Sequence, residues 1–402
     1  MHILFLAPQP FFQERGTPIA VDLVLRSLSE RGERVDVLTY HLGKDVQYKD
    51  VTIHRTYHIP FIKEIAPGFS MRKLFCDFMM FFKVIPLIAR QRYQIVHAVE
   101  ESVFIALFLK ILFKIPYIYD MDSSLSQQMS ERFPRLLAPF ASWMDYLEGL
   151  AIRNAKAVVP VCDALYEDIE KYSPEKVLIL RDISLLDEVG QPPWDDLRAQ
   201  LGINGPLMMY VGNLESYQGI DLLLESFALA LQRGSPASLV IIGGKDADIQ
   251  RYRAMSHKLG TGQRVHFLGP KPFDKLAVYL AQADILVSPR VKGKNTPMKI
   301  YSYLHSGKAL LATNLPTHTQ ILNSQVAMLA EPSPDNFSTC VLRLVEDKNL
   351  RQRLGMAGKK MINERHTYTI FRESLDMLYD WLNAEVDQGD ICKTAPAAKS
   401  GR

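Results

Sequence analysis

From Pro289 to Tyr301 the chain reads Pro-Arg-Val-Lys-Gly-Lys-Asn-Thr-Pro-Met-Lys-Ile-Tyr, and the charged residues between Ile285 and Ala330 are Arg290, Lys292, Lys294, Lys299 and Lys308, with no aspartate or glutamate among them. Cations without neighbouring acids suit an anion. A diphosphate fits best where such cations gather at the start of a helix, because free backbone N–H groups and the helix dipole act on the same charge. An apolar run, then this basic loop, then Asn295 or Thr296 as a cap with Pro297 at the first helical position predicts such a junction. A solvated basic surface loop is the competing reading.

A second junction has the same grammar. Met208 to Val211 is apolar, Gly212 permits close backbone approach, and Asn213 and Gln218 precede a helical pattern from Asp221. Both side chains can hydrogen-bond phosphate or sugar oxygens, and both are also ordinary turn formers. A third glycine turn, Gly243-Gly244, ends the run Leu239 to Ile242.

The elements that must position these loops follow from the alternation of short apolar runs with amphipathic stretches, which predicts βαβ units and parallel sheets. Val35 to Thr39, Ile95 to Val99, Pro116 to Tyr119 and Ala157 to Val161 form one strand series. Leu207 to Val211, Leu239 to Ile242, Val265 to Leu268, Ile285 to Val287 and Leu310 to Thr313 form another. Helices are predicted over Val21 to Arg31, Asp221 to Arg233 and Pro297 to Ser306. The fold class is therefore α/β with two doubly wound Rossmann-like domains, which suits 402 residues with 48% hydrophobic and 23% charged. The expected boundaries are an N-terminal domain over 1–186, a Gly/Pro-marked linker over 187–206, a C-terminal domain over 207–370, a helix over 371–385 and an unstructured tail over 386–402.

A net charge of +3 excludes wholesale nucleic-acid binding as the default. Cys76, Cys162, Cys340 and Cys392 lack metal-ligand or disulfide-framework spacing, which points to a reducing compartment. The opening Met-His-Ile-Leu-Phe-Leu-Ala-Pro lacks a secretory pattern, and the most apolar stretch, Val103 to Tyr119, is broken by Lys110, Lys114 and Pro116. A cytoplasmic protein without a spanning helix is expected. The segment 71–93 combines Phe75, Phe78, Met79, Phe81 and Phe82 with Arg72, Lys73, Lys83, Arg90 and Arg92, and Pro86 is expected to interrupt its helix. Such a segment suits either core packing or peripheral contact with an anionic inner membrane face.

Taken in order, these features resemble the GT-B glycosyltransferases, and among them the family-4 retaining enzymes, over roughly residues 1 to 380. The resemblance rests on an opening strand with the glycine loop at Gly16, on Val96-His97, on Tyr210 to Asn213 with Gln218-Gly219, and above all on Asn295 to Lys308. It implies two domains facing a cleft, a nucleotide-diphosphate sugar as donor, a glycan or lipid-linked acceptor such as a glycolipid or surface-polysaccharide precursor, retention, and no metal or other cofactor. Gly16, Gly212, Asn213, Gln218, Gly243, Asn295, Thr296, Lys299 and Ser302 would then bind the donor. Arg290 and Lys299 would carry the charge growing on the leaving diphosphate, while His97 at a strand end would orient a sugar hydroxyl or, equally, serve as a structural hydrogen-bonder, and Asp122, paired with Asp120, would orient or help deprotonate the acceptor.

This chain departs from the family pattern in two places. Lys294 and Ser302 stand where the family has two glutamates, and Asn213 and Gln218 stand where it has an arginine and a lysine. The departures motivate two other readings, a non-catalytic scaffold subunit of a glycan-assembly complex and a sugar-nucleotide epimerase.

Overall fold

The computed structural model describes residues 1–13, 16–65, 70–125, 138–186 and 196–394. It contains two compact units, Met1–Arg181 together with the chain from Thr369, and Asp182–Tyr368. In the first unit β1 (His2–Ala7), β2 (Arg34–Thr39), β3 (Val51–Arg55), β4 (Ile95–Val99), β5 (Tyr117–Met121) and β6 (Ala157–Pro160) form a parallel sheet in the order β3-β2-β1-β4-β5-β6. The second unit repeats the scheme. There β7 (Leu207–Val211), β8 (Ser238–Ile242), β9 (Val265–Gly269), β10 (Ile285–Ser288), β11 (Ala309–Thr313) and β12 (Met328–Ala330) lie in the order β12-β11-β10-β7-β8-β9.

The central strands are mostly apolar because helices cover both faces of a parallel sheet; Ile3 to Ala7 and Ile285 to Val287 are fully buried. The edge strands β3 and β12, which the sequence pattern did not reveal, differ. β3 carries Thr52, His54 and Arg55 and is only partly buried, and β12 is three residues long. Neither presents the continuous apolar run by which a buried parallel strand is read.

Three expected boundaries change. The stretch expected as a linker holds a helix, Leu197–Leu201, capped by Asp196 Oδ1, which accepts from Arg198 N–H (2.9 Å) and Ala199 N–H (3.1 Å). Its Leu197 is buried and donates its N–H to Gln282 Oε1 (2.8 Å), so this part belongs to the second unit; 187–195 lie outside the described residues. The last helix runs Tyr368–Thr394, past the expected start of the tail, and only 395–402 lie outside the described residues. The helix Met71–Arg90 continues through Pro86. The carbonyl that Pro86 cannot satisfy is that of Phe82, an exposed residue, where solvent can serve it.

Candidate active site

In both sheets the strand order reverses between the first and fourth strands of the unit, and ligands of open parallel sheets bind beyond the carboxyl ends at that point. In the second unit the reversal lies between β7 and β10, whose following loops are the two junctions singled out above. They lie against each other. Val291 N–H donates to Tyr217 C=O (3.0 Å). Gly219 has φ +73°, and a β-carbon there would lie 1.9 Å from the Pro289 carbonyl oxygen, so only glycine allows this approach.

Lys299 joins the two loops. It opens the helix Lys299–His305, and its Nζ donates to Tyr210 Oη (2.9 Å) and Gln218 Oε1 (3.0 Å) while lying 4.1 Å from the Tyr210 ring centroid. The ammonium is close enough to Gly212 that a β-carbon there would sit 2.8 Å from it. Burial, and after it the neighbouring Arg290, hold its pKa well below the ordinary lysine value. Among the described residues no carboxylate pairs with it. A basic nitrogen is thus brought to the loop whose positions 213 and 218 carry no lysine or arginine.

Arg290 is buried, with Nε donating to Lys292 C=O (2.7 Å), Nη2 to Asn295 Oδ1 (2.8 Å), and its guanidinium 5.2 Å from the Tyr217 ring centroid. Asn295 and Thr296 do not cap. The helix begins two residues beyond Pro297, Met298 precedes it without a side-chain capping bond, and Asn295 Oδ1 serves Arg290 instead. Thr296 Oγ1 is buried with no hydrogen-bond partner. Asn213 is exposed, its Oδ1 accepting from Glu215 N–H (3.3 Å). Gly243 ends β8 with its N–H on Gly269 C=O (2.8 Å). Ser302 is buried one helical turn beyond Lys299, and its Oγ accepts from Leu185 N–H (3.2 Å).

The equivalent reversal in the first unit lies between β1 and β4. Gly16 is the first residue of the helix Gly16–Glu30, and Glu14 and Arg15 lie outside the described residues. His97 lies in the middle of β4, not at its end, and is fully buried against Phe5, with ring centroids 4.4 Å apart. Its Nδ1 is 2.8 Å from Tyr379 Oη and its Nε2 is 3.2 Å from Asp120 Oδ2. Both ring nitrogens are used, so His97 fastens the last helix to the sheet and is not placed to orient a sugar hydroxyl.

Asp122 follows β5 and is partly exposed. Burial, then the neighbouring Asp120, push its carboxyl up to about 7, against the Thr17 hydroxyl bond and Lys73, which favour the charged form. The sequence places Asp120, Glu100 and Glu101 near this end of the sheet, with surface solvation an equal reading of the two glutamates, but it does not reveal the burial of Glu100 or the approach of Lys73. Glu100, at φ +52°, accepts from Ser123 Oγ with both oxygens (2.9 Å each), and burial followed by Asp122 raises its pKa. Lys73 pairs with Glu101 at 2.6 Å, from the helix whose other face carries the exposed Phe75, Phe78 and Phe82. Helical spacing alone could have linked Lys73 with that buried side, since it lies three residues before Cys76 and seven before Met80.

Compared with known proteins, residues 15–180 match the family model for Glycosyltransferase Family 4 and residues 195–361 that for Glycosyl transferases group 1. An uncharacterized glycosyltransferase of Methanocaldococcus jannaschii is 20% identical over 83% of this chain and 90% of its own length. Among solved structures, sucrose-phosphate synthase from Thermosynechococcus elongatus superposes with a TM-score of 0.77 at 18% identity, covering 96% of this chain and 99% of its own. Anabaena HepE in complex with UDP gives 0.73 at 15% identity, covering 94% and 100%. With a glycosyltransferase model matched on each half and the GT-B fold in its structural neighbours, the chain belongs to the GT-B glycosyltransferases of the family-4 type.

Proposed function

We propose that the enzyme moves a sugar, with retention and without a metal ion, from a nucleoside-diphosphate sugar held by the second unit to an acceptor hydroxyl held by the first. The observation that carries the donor half is the Lys299 amine, partly buried among the two loops and hydrogen-bonded to neutral oxygens alone. A desolvated cation in that state is stabilised by an incoming anion, and the unpartnered Thr296 hydroxyl in the same segment offers a further donor. As the bond from the anomeric carbon to the phosphate oxygen breaks, its electron pair stays with the diphosphate, and Lys299 and Arg290 take up that charge. The acceptor oxygen bonds to the anomeric carbon on the face from which the diphosphate departs, which retains the configuration, and its proton passes to the Asp122 carboxylate. UDP, the nucleotide in the HepE complex, is the probe of choice. UDP or a UDP-sugar is expected to raise the unfolding temperature, and a UDP-sugar to be slowly hydrolysed. A panel of nucleoside diphosphates and their sugars that leaves the unfolding temperature unmoved would overturn the donor assignment.

The acceptor we propose is a glycolipid or surface-polysaccharide precursor presented at an anionic membrane surface on the cytoplasmic side. No helix among the described residues is long and apolar enough to cross a membrane. Helix Met71–Arg90 instead buries Cys76, Met80, Val84 and Leu87 and exposes Met71, Leu74, Phe75, Phe78, Phe82 and Ile85. Phe61, 73% exposed, lies 6.1 Å from Phe75 between ring centroids, and Arg72, Arg90 and Arg92 flank the stripe. An apolar stripe edged with cations complements anionic headgroups. The protein should sediment with phosphatidylglycerol-containing vesicles and not with phosphatidylcholine vesicles, and the Phe78→Ser/Phe82→Ser double variant should lose this while still binding UDP. Equal binding by the variant, or none by the parent, would refute the surface.

A further inference from the structure

Resting on the donor-site reading, we propose that the segment Thr313–Gln320, with His318 at its centre, is a positioning element that holds the basic loop Arg290–Thr296 in register for the donor diphosphate without touching the donor itself.

Within the loop Arg290 reaches Lys292 C=O and Asn295 Oδ1, while the carbonyls of Arg290, Lys294 and Asn295 are met from outside it. The loop lies between β10 and the helix that starts at Lys299, contains Gly293 at φ +101°, and presents Arg290 and Lys292 to one another through a backbone carbonyl. Three of its carbonyls are met by side chains from the last residue of β11 and the chain that follows it. Thr313 Oγ1 donates to Arg290 C=O (2.6 Å), Thr317 Oγ1 to Asn295 C=O (2.8 Å), and Gln320 Nε2 to Lys294 C=O (2.7 Å). Three side chains thus meet three carbonyls of one short loop, and the carbonyls lie at both ends of it.

His318 connects this clamp to the sheet. Its Nδ1 lies 3.0 Å from Thr313 C=O and 2.9 Å from Thr313 Oγ1, and its Nε2 lies 2.9 Å from Ser288 Oγ at the end of β10. A carbonyl only accepts, so Nδ1 carries the proton and Nε2 accepts from the serine. The chain of donors then runs in one direction, from the Ser288 hydroxyl to His318, from His318 to Thr313, and from the Thr313 hydroxyl to the carbonyl of Arg290. The ring is fully buried. Burial, with Arg290 and Lys299 nearby, lowers its pKa to about 3, so it stays neutral where a charged ring would repel both cations. A histidine in this place gives an apolar body and two directional bonds without adding charge to a site that already concentrates it.

Such a role predicts that the clamp acts through Arg290. Removing one neutral hydrogen bond to the loop, in Thr317→Val or Gln320→Leu, should weaken UDP binding about 2- to 13-fold, and His318→Leu, which breaks the relay, should do so at least as much. His318→Asn, which keeps a donor toward Thr313, should recover part of the loss. Ser338→Ala, a buried hydroxyl of the same unit bonded to Arg233 (2.9 Å) and remote in its contacts from the loop, should leave UDP affinity unchanged. Calorimetry on folded variants gives these values, and a double-mutant cycle separates positioning from plain destabilisation. In an Arg290→Ala background Thr317→Val should cost less than about 2-fold, because the group it positions is gone. Full additivity of the two losses would overturn the proposal, as would parent-like UDP affinity in Thr317→Val and Gln320→Leu. If Arg290→Ala itself binds UDP as the parent does, the donor-site reading fails first.

Discussion

Lys299→Ala should bind UDP about 10- to 150-fold more weakly, since a charge-assisted hydrogen bond to a partly desolvated anion contributes about 1.5–3 kcal/mol. The turnover number should fall further than the affinity, by about 100- to 1,000-fold, because the cation is needed most when the leaving diphosphate has gained its charge. Arginine should not substitute. The amine sits as a compact donor beside Gly212, the Tyr210 ring and Gln218, a set of contacts that the planar guanidinium fork does not reproduce. The lowered pKa adds a second signature. UDP binding needs the charged form, so affinity in the parent should fall as pH rises below the range where an ordinary lysine loses its proton, and Lys299→Ala should lack that dependence. Asn213→Ala should cost only about 2- to 13-fold, as a neutral and exposed group. Calorimetry across pH checks the order. An asparagine variant that loses most, or an alanine at 299 that binds as the parent does, would mean that the basic segment is solvated surface and the donor lies elsewhere.

Asp122→Asn should lower kcat about 100- to 10,000-fold, the usual loss when a positioned base is removed. In the parent the carboxyl is held up to about 7, chiefly by burial and then by Asp120. A base works only when deprotonated, so the rate should rise with pH through about 7 and level off above it. The asparagine variant should show a flat acid side and a UDP affinity equal to the parent's. The neighbouring Asp120, Glu100 and Lys73 also face this group and move its titration, so Lys73→Met should shift the limb upward by removing a charge that favours the carboxylate. Retention of the acid limb in Asp122→Asn would assign it to another group, and an unchanged rate would remove Asp122 from the chemistry.

The parts of this protein legible in its sequence are those in which one residue type has one structural use. Central parallel strands read as apolar runs because both faces are buried, and Gly212, Gly219 and Gly243 mark loops because close approach excludes a side chain. The convergence of Gln218 with Lys299 was beyond reach, since it depends on which strands lie side by side at the reversal of the second sheet. The cap assigned to Asn295 and Thr296 followed a sound local rule that a tertiary demand overrode, namely that Arg290 takes the Asn295 oxygen. His97 shows the same limit. That it belongs to β4 was legible, but not its mid-strand position, and the partner that occupies its Nδ1, Tyr379, comes from far along the chain.

That long-range partnership bears on how the protein is made. The first unit is discontinuous: its sheet comes from residues before Arg181, and Tyr379 and Trp381 of the last helix, with Arg31 bonded to Asp376 and Lys156 within 5.3 Å of the Trp381 ring, complete it. The second unit is one uninterrupted stretch. During vectorial synthesis the N-terminal half leaves the ribosome first and must wait, with the surface around His97 uncovered, until the whole of the second unit and then the last helix have emerged. The half that is translated second is therefore the one free to finish folding first, and the exposed interval of the N-terminal half is set by the time needed to translate everything between Arg181 and Tyr379.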